Sequence, residues 1–166
     1  MKPSQGRPVP NRNNPERSIR VWFRLIRLEA RMQAAVGERL RAIGVSIPQC
    51  DVLTTLSEEE GVSQQELAKR LYVTKGNISG LLDRLEGAGL VERRQAASDR
   101  RQYSIHLTQA GRAMARTAIA AQHQWIASTL GRMTEADLAA LETQLIALRN
   151  IVREATRPTA AAATRE

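Results

Sequence analysis

Residues 74–101 read TKGNISGLLDRLEGAGLVERRQAASDRR, and the architecture of the chain follows from them. In the first half of this stretch Ile78, Leu81, Leu82 and Leu85 recur at three- and four-residue steps, which is one buried stripe of a helix. Thr74 reads as the N-cap of that helix, which runs to Glu86 and is ended by Gly87 and Gly89. The face opposite the stripe is centred on Gly76 and Gly80, flanked by Asn77, Ser79, Asp83 and Arg84. A glycine inside a helix costs about 1 kcal/mol relative to alanine. Two on one exposed face make little sense for stability, and do make sense where the backbone must come close to something bulky, such as the major groove of DNA. Lys75 and Asn77 lie in the first turns, where helix-turn-helix proteins place groove contacts. Asn77 carries the donor and acceptor that pair with adenine, and Lys75 suits guanine or a phosphate. Packing of a helical hairpin would also explain the glycines, but not their polar flanks.

In the second half, Leu90–Arg94 reads as a strand, and its partner is Gln102–Leu107, where Tyr103, Ile105 and Leu107 alternate with Ser104 and His106. Between them Arg93, Arg94, Arg100 and Arg101 surround Asp99, with Ser98 beside it, in a piece without an Asn-Gly or Asp-Gly turn. We read a longer hairpin loop, a wing whose tip fits a minor groove about 6 Å wide. Asp99 has a use there if it orients a guanidinium, that of Arg101 or Arg84.

Upstream, Ser46 with Gln49 three residues on forms a capping box for a short helix from Pro48 to about Glu59, stopped by Gly61. Ser63 with Glu66 forms a second, ahead of a helix carrying Leu67, Ala68 and Leu71, with Gln64 in its first turn. The caps Ser63 and Thr74 favour phosphate at the helix ends. From about Ser18 to Ile43 a long helix presents an apolar arc wider than one partner needs, while Arg17, Arg20, Arg24, Arg27 and Arg31 fill the opposite stripe. That stripe is a solvated face, or a site for an anionic effector or DNA flanks. An alanine-rich helix follows from Thr108 to about Leu130. Thr134 with Asp137 then opens a last helix to about Ala155, where Leu138, Leu141, Leu145, Leu148 and Val152 form a heptad seam. Seam and wide arc together suggest that the terminal helices pack against a second copy.

The chain of 166 residues carries a net charge of +8, of which residues 1–47 hold +7 and residues 48–108 hold −1. The basic excess therefore lies outside the segment with groove-reading features, and it is the placement of residues, not bulk charge, that points to DNA. Aromatics make up 3% of residues, which argues against the stacking platforms of single-strand binders. No run approaches the roughly 20 apolar residues of a membrane span. One cysteine, Cys50, excludes an internal disulfide and fits a reducing, cytoplasmic setting. His106 and His123 have no Cys or carboxylate at ligand spacing, and the run Glu58–Glu60 reads as solvated, so neither an enzyme, a metal site nor a cofactor is expected.

The run VTKGNISGLLDRLEGAGLVERR, followed by SDRRQYSIHLTQAGR, resembles the MarR family of multiple-antibiotic-resistance regulators. The family's wing pattern of Asp-x-Arg, five residues, then Leu-Thr stands here as Asp99, Arg100, Arg101, Leu107 and Thr108. The resemblance covers roughly residues 20–155. It implies a mainly α fold with a small β-hairpin wing, a winged helix-turn-helix whose terminal helices make a homodimer. It also implies a recognition helix at Thr74–Glu86, Arg101 in the minor groove, and repression relieved by phenolic or other anionic ligands, or by cysteine oxidation. Tyr72 departs from the pattern, standing at a turn where many helix-turn-helix proteins carry glycine. The chain also lacks the early cysteine of the oxidation-sensing branch, and Cys50 reads as an inert core residue.

The expected organisation is a disordered basic arm (1–17), an N-terminal dimerisation helix (18–47), a winged helix-turn-helix (48–108), C-terminal dimerisation helices (109–156) and a loose tail (157–166). The expected DNA-reading residues are Ser63, Gln64, Thr74, Lys75, Gly76, Asn77, Ser79, Gly80, Arg84, Arg94, Ser98, Asp99, Arg100 and Arg101. Trp22, Arg24, Arg27, Cys50 and His123 are candidates for a small aromatic or anionic effector. The expected function is a sequence-specific regulator of double-stranded DNA. A coat protein binding without sequence preference is the alternative, and the specificity ratio against random duplex separates the two.

Overall fold

The computed structural model describes residues 14–96 and 99–156, and the side chains of all of these but 96 and 99–102. The expected arm up to residue 13, the tail from residue 157, and Ser98 lie outside the described residues. Two compact units divide the chain, Met1–Gln122 and His123–Glu166.

The first unit begins with α1, Pro15–Ala42. Asn14 caps it, its side chain accepting the Arg17 N–H at 2.9 Å, and Pro15 fits the first turn because no N–H is needed there. The helix thus starts three residues before the expected Ser18, and Pro15–Arg17 belong to it, not to an arm. Its end is the turn at Gly44, whose φ of +85° suits glycine and lets the Val45 N–H reach back to the Leu40 carbonyl at 3.0 Å. Then α2, Ile47–Glu58, carries the expected reciprocal capping box: the Gln49 N–H donates to Ser46 Oγ, and the Ser46 N–H donates to Gln49 Oε1.

The sheet has three strands, where the periodicity indicated two. Val62–Ser63 forms β1, which pairs with Ile105 and Ser104. The other strands are β2, Val91–Ala96, and β3, Asp99–Leu107, in antiparallel order β1-β3-β2. The ladder continues from Val91↔Leu107 to Ala96↔Asp99, with an irregularity between Gln95 and Ala96. The wing strands are therefore longer than expected, and only residues 97 and 98 separate them. The added residues of β3, Asp99, Arg100 and Arg101, are all charged, so no apolar alternation marked them as strand.

Between β1 and β2 lie α3, Gln64–Arg70, and α4, Lys75–Gly87. Ser63 Oγ accepts the Glu66 N–H at 3.1 Å, but the box is not reciprocal, because the Glu66 carboxylate turns to Arg70 at 3.2 Å. Helix α5, Gln109–Thr129, follows β3. Thr108 caps it, accepting the Gly111 N–H at 2.9 Å while its hydroxyl donates to the Gly89 carbonyl at 2.6 Å.

One core joins these elements. Leu40, Leu53, Leu56, Leu67, Ile78, Leu82, Leu85, Ile105 and Leu107 are each at most 1% exposed. Full burial of such a side chain is worth roughly 1.5–3 kcal/mol. Core residues come from every element of the first unit, and the stripe Ile78, Leu81, Leu82, Leu85 seats α4 with its other face outward.

The second unit contains the end of α5, a 3-10 turn at Leu130–Arg132, and α6, Glu135–Ala155. Thr134 Oγ1 accepts the Asp137 N–H at 3.2 Å and donates to the Asp137 carboxylate at 2.7 Å, so the expected box has only its forward half. No residue of α6 is buried. Among the described residues no helix is long and apolar enough to cross a membrane.

Candidate nucleic-acid interface

The outward face of α4 is open. An alanine Cβ at Gly76 would find nothing within 4 Å, and one at Gly80 would meet only Arg84 Nη1, at 3.8 Å. Neither glycine is required by packing among the described residues. With Asn77, Arg84, Leu81 and Pro48 of α2 they line a shallow groove of about 350 Å³. Thr74 caps the helix as expected, its side chain accepting the Asn77 N–H at 3.3 Å. Lys75 and Asn77 are exposed, while Ser79 and Gly80 are half-buried.

Tyr72 makes the turn into α4 at a φ of +54°, the left-handed conformation that glycine takes more easily. Its N–H closes α3 on the Lys69 carbonyl at 3.2 Å, and the Val73 N–H closes on Ala68 at 3.0 Å. The turn keeps its geometry without glycine, and the phenol side chain stands almost wholly in solvent.

The four wing arginines are not equivalent. Arg93 donates to Asp83 at 2.6 Å and also binds Glu86, holding β2 against α4 with its side chain 22% exposed. It serves the scaffold, and Asp83 is turned toward it instead of flanking a groove-reading face. Arg94 pairs with Glu92, its Nε at 2.9 Å from Oε1. Asp99, Arg100 and Arg101 belong to β3 by backbone, and their side chains lie outside the described residues. Ser63 and Gln64 are half-buried at the start of α3.

The acidic run is solvated as expected at Glu58 and Glu59, while Glu60 is half-buried. Glu59 accepts from Arg70 at 2.7 Å. Glu60 binds Arg112 through both oxygens, at 2.9 and 2.8 Å, and stands 3.5 Å from His106 Nδ1. His106 Nε2 meets Ser104 Oγ at 3.0 Å, and that hydroxyl donates to the Arg94 carbonyl at 3.2 Å. His106 therefore has a carboxylate neighbour after all, in a chain of contacts tying α5 to the base of the wing. Glu60 and Arg112 are 52 residues apart, so no local spacing revealed the pair.

Cys50 is fully buried, and burial, followed by the nearby Asp51 charge, pushes its thiol up to about 11. A thiol so placed is an inert core residue and offers no surface to a ligand. The other effector candidates in the first unit do not join it: Trp22 is 58% exposed, and Arg24 and Arg27 stand in solvent on α1, Arg27 over the Phe23 ring at 6.0 Å. His123 is exposed at the start of the second unit.

This arrangement of capped helix, left-handed turn, open second helix and stranded wing has close parallels. The MarR family model matches residues 45–103. The HTH-type transcriptional repressor Mb2911 of Mycobacterium bovis is 34% identical over 114 residues, covering 69% of this chain and 82% of that protein. The chain belongs to the MarR family. The HTH-type transcriptional regulator TtmR of Methylorubrum extorquens is 44% identical over 70 residues, covering 42% of this chain and 36% of that protein, so the match spans about a third of that relative's length. Among solved structures, FabT of Streptococcus pneumoniae in complex with DNA superposes with a TM-score of 0.74 at 22% identity, covering 84% of this chain and 99% of that one. As a MarR-family transcriptional regulator the protein carries a DNA-binding winged helix, mainly α with a three-stranded antiparallel sheet.

Proposed function

We propose that this MarR-family regulator reads double-stranded DNA in a sequence-specific way, as a homodimer on a pseudo-palindromic operator, and acts in the cytoplasm as a repressor released by a small aromatic or anionic ligand. The observation that carries the reading is the face of α4. Gly76 and Gly80 have open space where a side chain would stand, and solvent-facing Lys75, Asn77 and Arg84 surround them. A helix that sacrifices stability to keep its outer surface flat and polar is suited to lie in a major groove. Thr74, Ser63 and Gln64 stand at helix starts where phosphates are held, Ser79 borders the glycines, and Arg94, Ser98, Asp99, Arg100 and Arg101 supply the wing.

Two unpartnered apolar faces support the homodimer. On α1, Ile19, Trp22, Phe23 and Ile26 are 44–58% exposed, and on α6 Leu141, Leu145, Leu148 and Val152 are 37–51% exposed. Clustered apolar side chains left in water on one helix face mark interaction surfaces. The effector reading rests on the exposed arginine stripe of α1, which includes Arg24 and Arg27 and lies opposite the face that carries Trp22.

The deciding experiment is selection of duplexes from a random pool, followed by titration of the selected and an unrelated duplex at several salt concentrations. A selected site bound at least about 10³-fold more tightly than unrelated DNA supports the reading. Equal affinity for both would mean a DNA coat protein instead.

A further inference from the structure

Tyr72 combines two unfavourable properties. Its backbone occupies the left-handed region at φ +54°, and its side chain is 97% exposed. Glycine would make the same turn without strain, and no burial of the ring compensates for the tyrosine. An exposed outlier of this kind points to a contact made with something outside the chain.

The surroundings of Tyr72 indicate what that contact is. The ring is on the wall of an open groove of about 860 Å³, which borders the shallow groove over the α4 glycines at Val73. Lys69 of α3 and Lys75 of α4 also line it, with Gln64 along one side and Tyr103 of β3, 49% exposed, facing in from the wing. Among the described residues no carboxylate is part of the lining. The nearest basic neighbour on α3, Arg70, is held by Glu59 and Glu66, which leaves the two exposed lysines as the charged groups among the described lining residues. Two ammonium groups, two phenols, the amides of Gln64 and Gln65 and the Ser63 hydroxyl make a set rich in donors for anionic oxygen.

We propose that this groove seats the sugar–phosphate backbone of one DNA strand. Lys69 and Lys75 neutralise its phosphates, while the phenols of Tyr72, on the turn before α4, and Tyr103, on β3, donate to phosphate oxygens. The inference rests on the DNA-binding reading above and adds Lys69, Tyr72 and Tyr103 to the interface. It gives the helix-turn-helix and the wing a shared anchor between them, so that α4 enters the adjacent groove in a fixed register.

The test uses the full chain, a duplex selected by the wild-type protein from a random pool, and an unrelated duplex of equal length. Tyr72→Gly keeps the turn, so its melting temperature should equal or exceed that of the wild type. Its affinity for both duplexes should fall by about tenfold or more, as loss of one hydrogen bond to a charged group implies, with the specificity ratio unchanged. Tyr103→Phe should act in the same direction. Lys69→Gln should make the slope of log K against log salt shallower by about 0.9, the signature of one lost phosphate contact. If the wild type binds its selected duplex and the Tyr72→Gly and Lys69→Gln proteins bind both duplexes equally well, the groove does not hold DNA, while the DNA-binding reading stands. A Tyr72→Gly protein that loses affinity only for the selected duplex would make Tyr72 a base reader and overturn the backbone assignment. A wild type that binds no duplex would remove both readings.

Discussion

Gly111 and Leu90 stand so close that a Cβ on residue 111 would lie 1.8 Å from the Leu90 carbonyl oxygen. The same carbonyl accepts the Thr108 N–H at 3.1 Å, and Thr108 Oγ1 donates to Gly89 next to it. The first turn of α5 is thus pressed onto the backbone between α4 and β2, which locates the base of the wing. Gly111→Ala should destabilise the protein by about 3 kcal/mol or more, since backbone must shift to admit the methyl. Gly87→Ala, where the new Cβ meets nothing within 4 Å, is the comparison and should be neutral or stabilising. Denaturant titration of both proteins checks this, and equal stabilities would contradict the close approach.

The glycines of α4 should behave in the opposite sense to Gly111. Gly76→Ala and Gly80→Ala introduce no clash, so each should gain up to about 1 kcal/mol of stability from helix propensity. Each should nevertheless weaken binding to the selected duplex by tenfold or more, because roughly 1.4 kcal/mol of misfit at a close-packed groove wall has that effect. Thermal melting and gel-shift titration on the same preparations separate the two effects. Tighter or unchanged DNA binding would show that the face lies away from the groove.

Arg93 and Arg101 should separate stability from binding. Arg93 is engaged by Asp83 and Glu86, so Arg93→Ala should cost about 1 kcal/mol of stability, as expected of a partly exposed ion-pair network, and leave the salt slope nearly unchanged. Arg101→Ala should lower DNA affinity strongly with little change in melting. Reversal of this pattern would exchange their roles.

Cys50 should be silent toward oxidants. With the thiol pushed up to about 11 inside the core, a thiol reagent at pH 8 should label it only after unfolding. Because the folded thiol holds its proton past the ordinary thiol value of 9.0, the unfolded chain ionises first as pH rises. Stability should therefore decline from about pH 9 to about 11 through this group, and a Cys50→Ala protein should lack that part of the decline. Rapid labelling of the native protein at pH 8 would argue for a redox role.

The exposed faces of the terminal helices predict a dimer in solution. Leu145→Glu on α6, at a position 48% exposed in the single chain, should leave the fold intact and shift sedimentation toward the monomer. DNA affinity should fall with it, since two half-sites would no longer be held together. A wild type that sediments as a monomer at micromolar concentration would refute the homodimer.

What was legible in the sequence was local. The cap at Ser46 with Gln49, the cap at Thr74, the stripe Ile78–Leu85 and the Leu107–Thr108 junction each depend on residues within a turn or two of one another, and each is present in the fold. The glycine face of α4 was legible for the same reason, because helical periodicity alone places Gly76 and Gly80 together. The tertiary structure decided what depends on distant partners. It made Val62–Ser63 a strand by pairing with Ile105 and Ser104, and it brought Glu60 onto Arg112 and His106 and Glu59 onto Arg70 at the surface. It also withdrew Arg93 from the wing's charge by supplying Asp83 and Glu86 across ten and seven residues. A carboxylate or a two-residue strand carries no periodic signal of its own. What it does is set by which neighbour the folded backbone brings within hydrogen-bond reach.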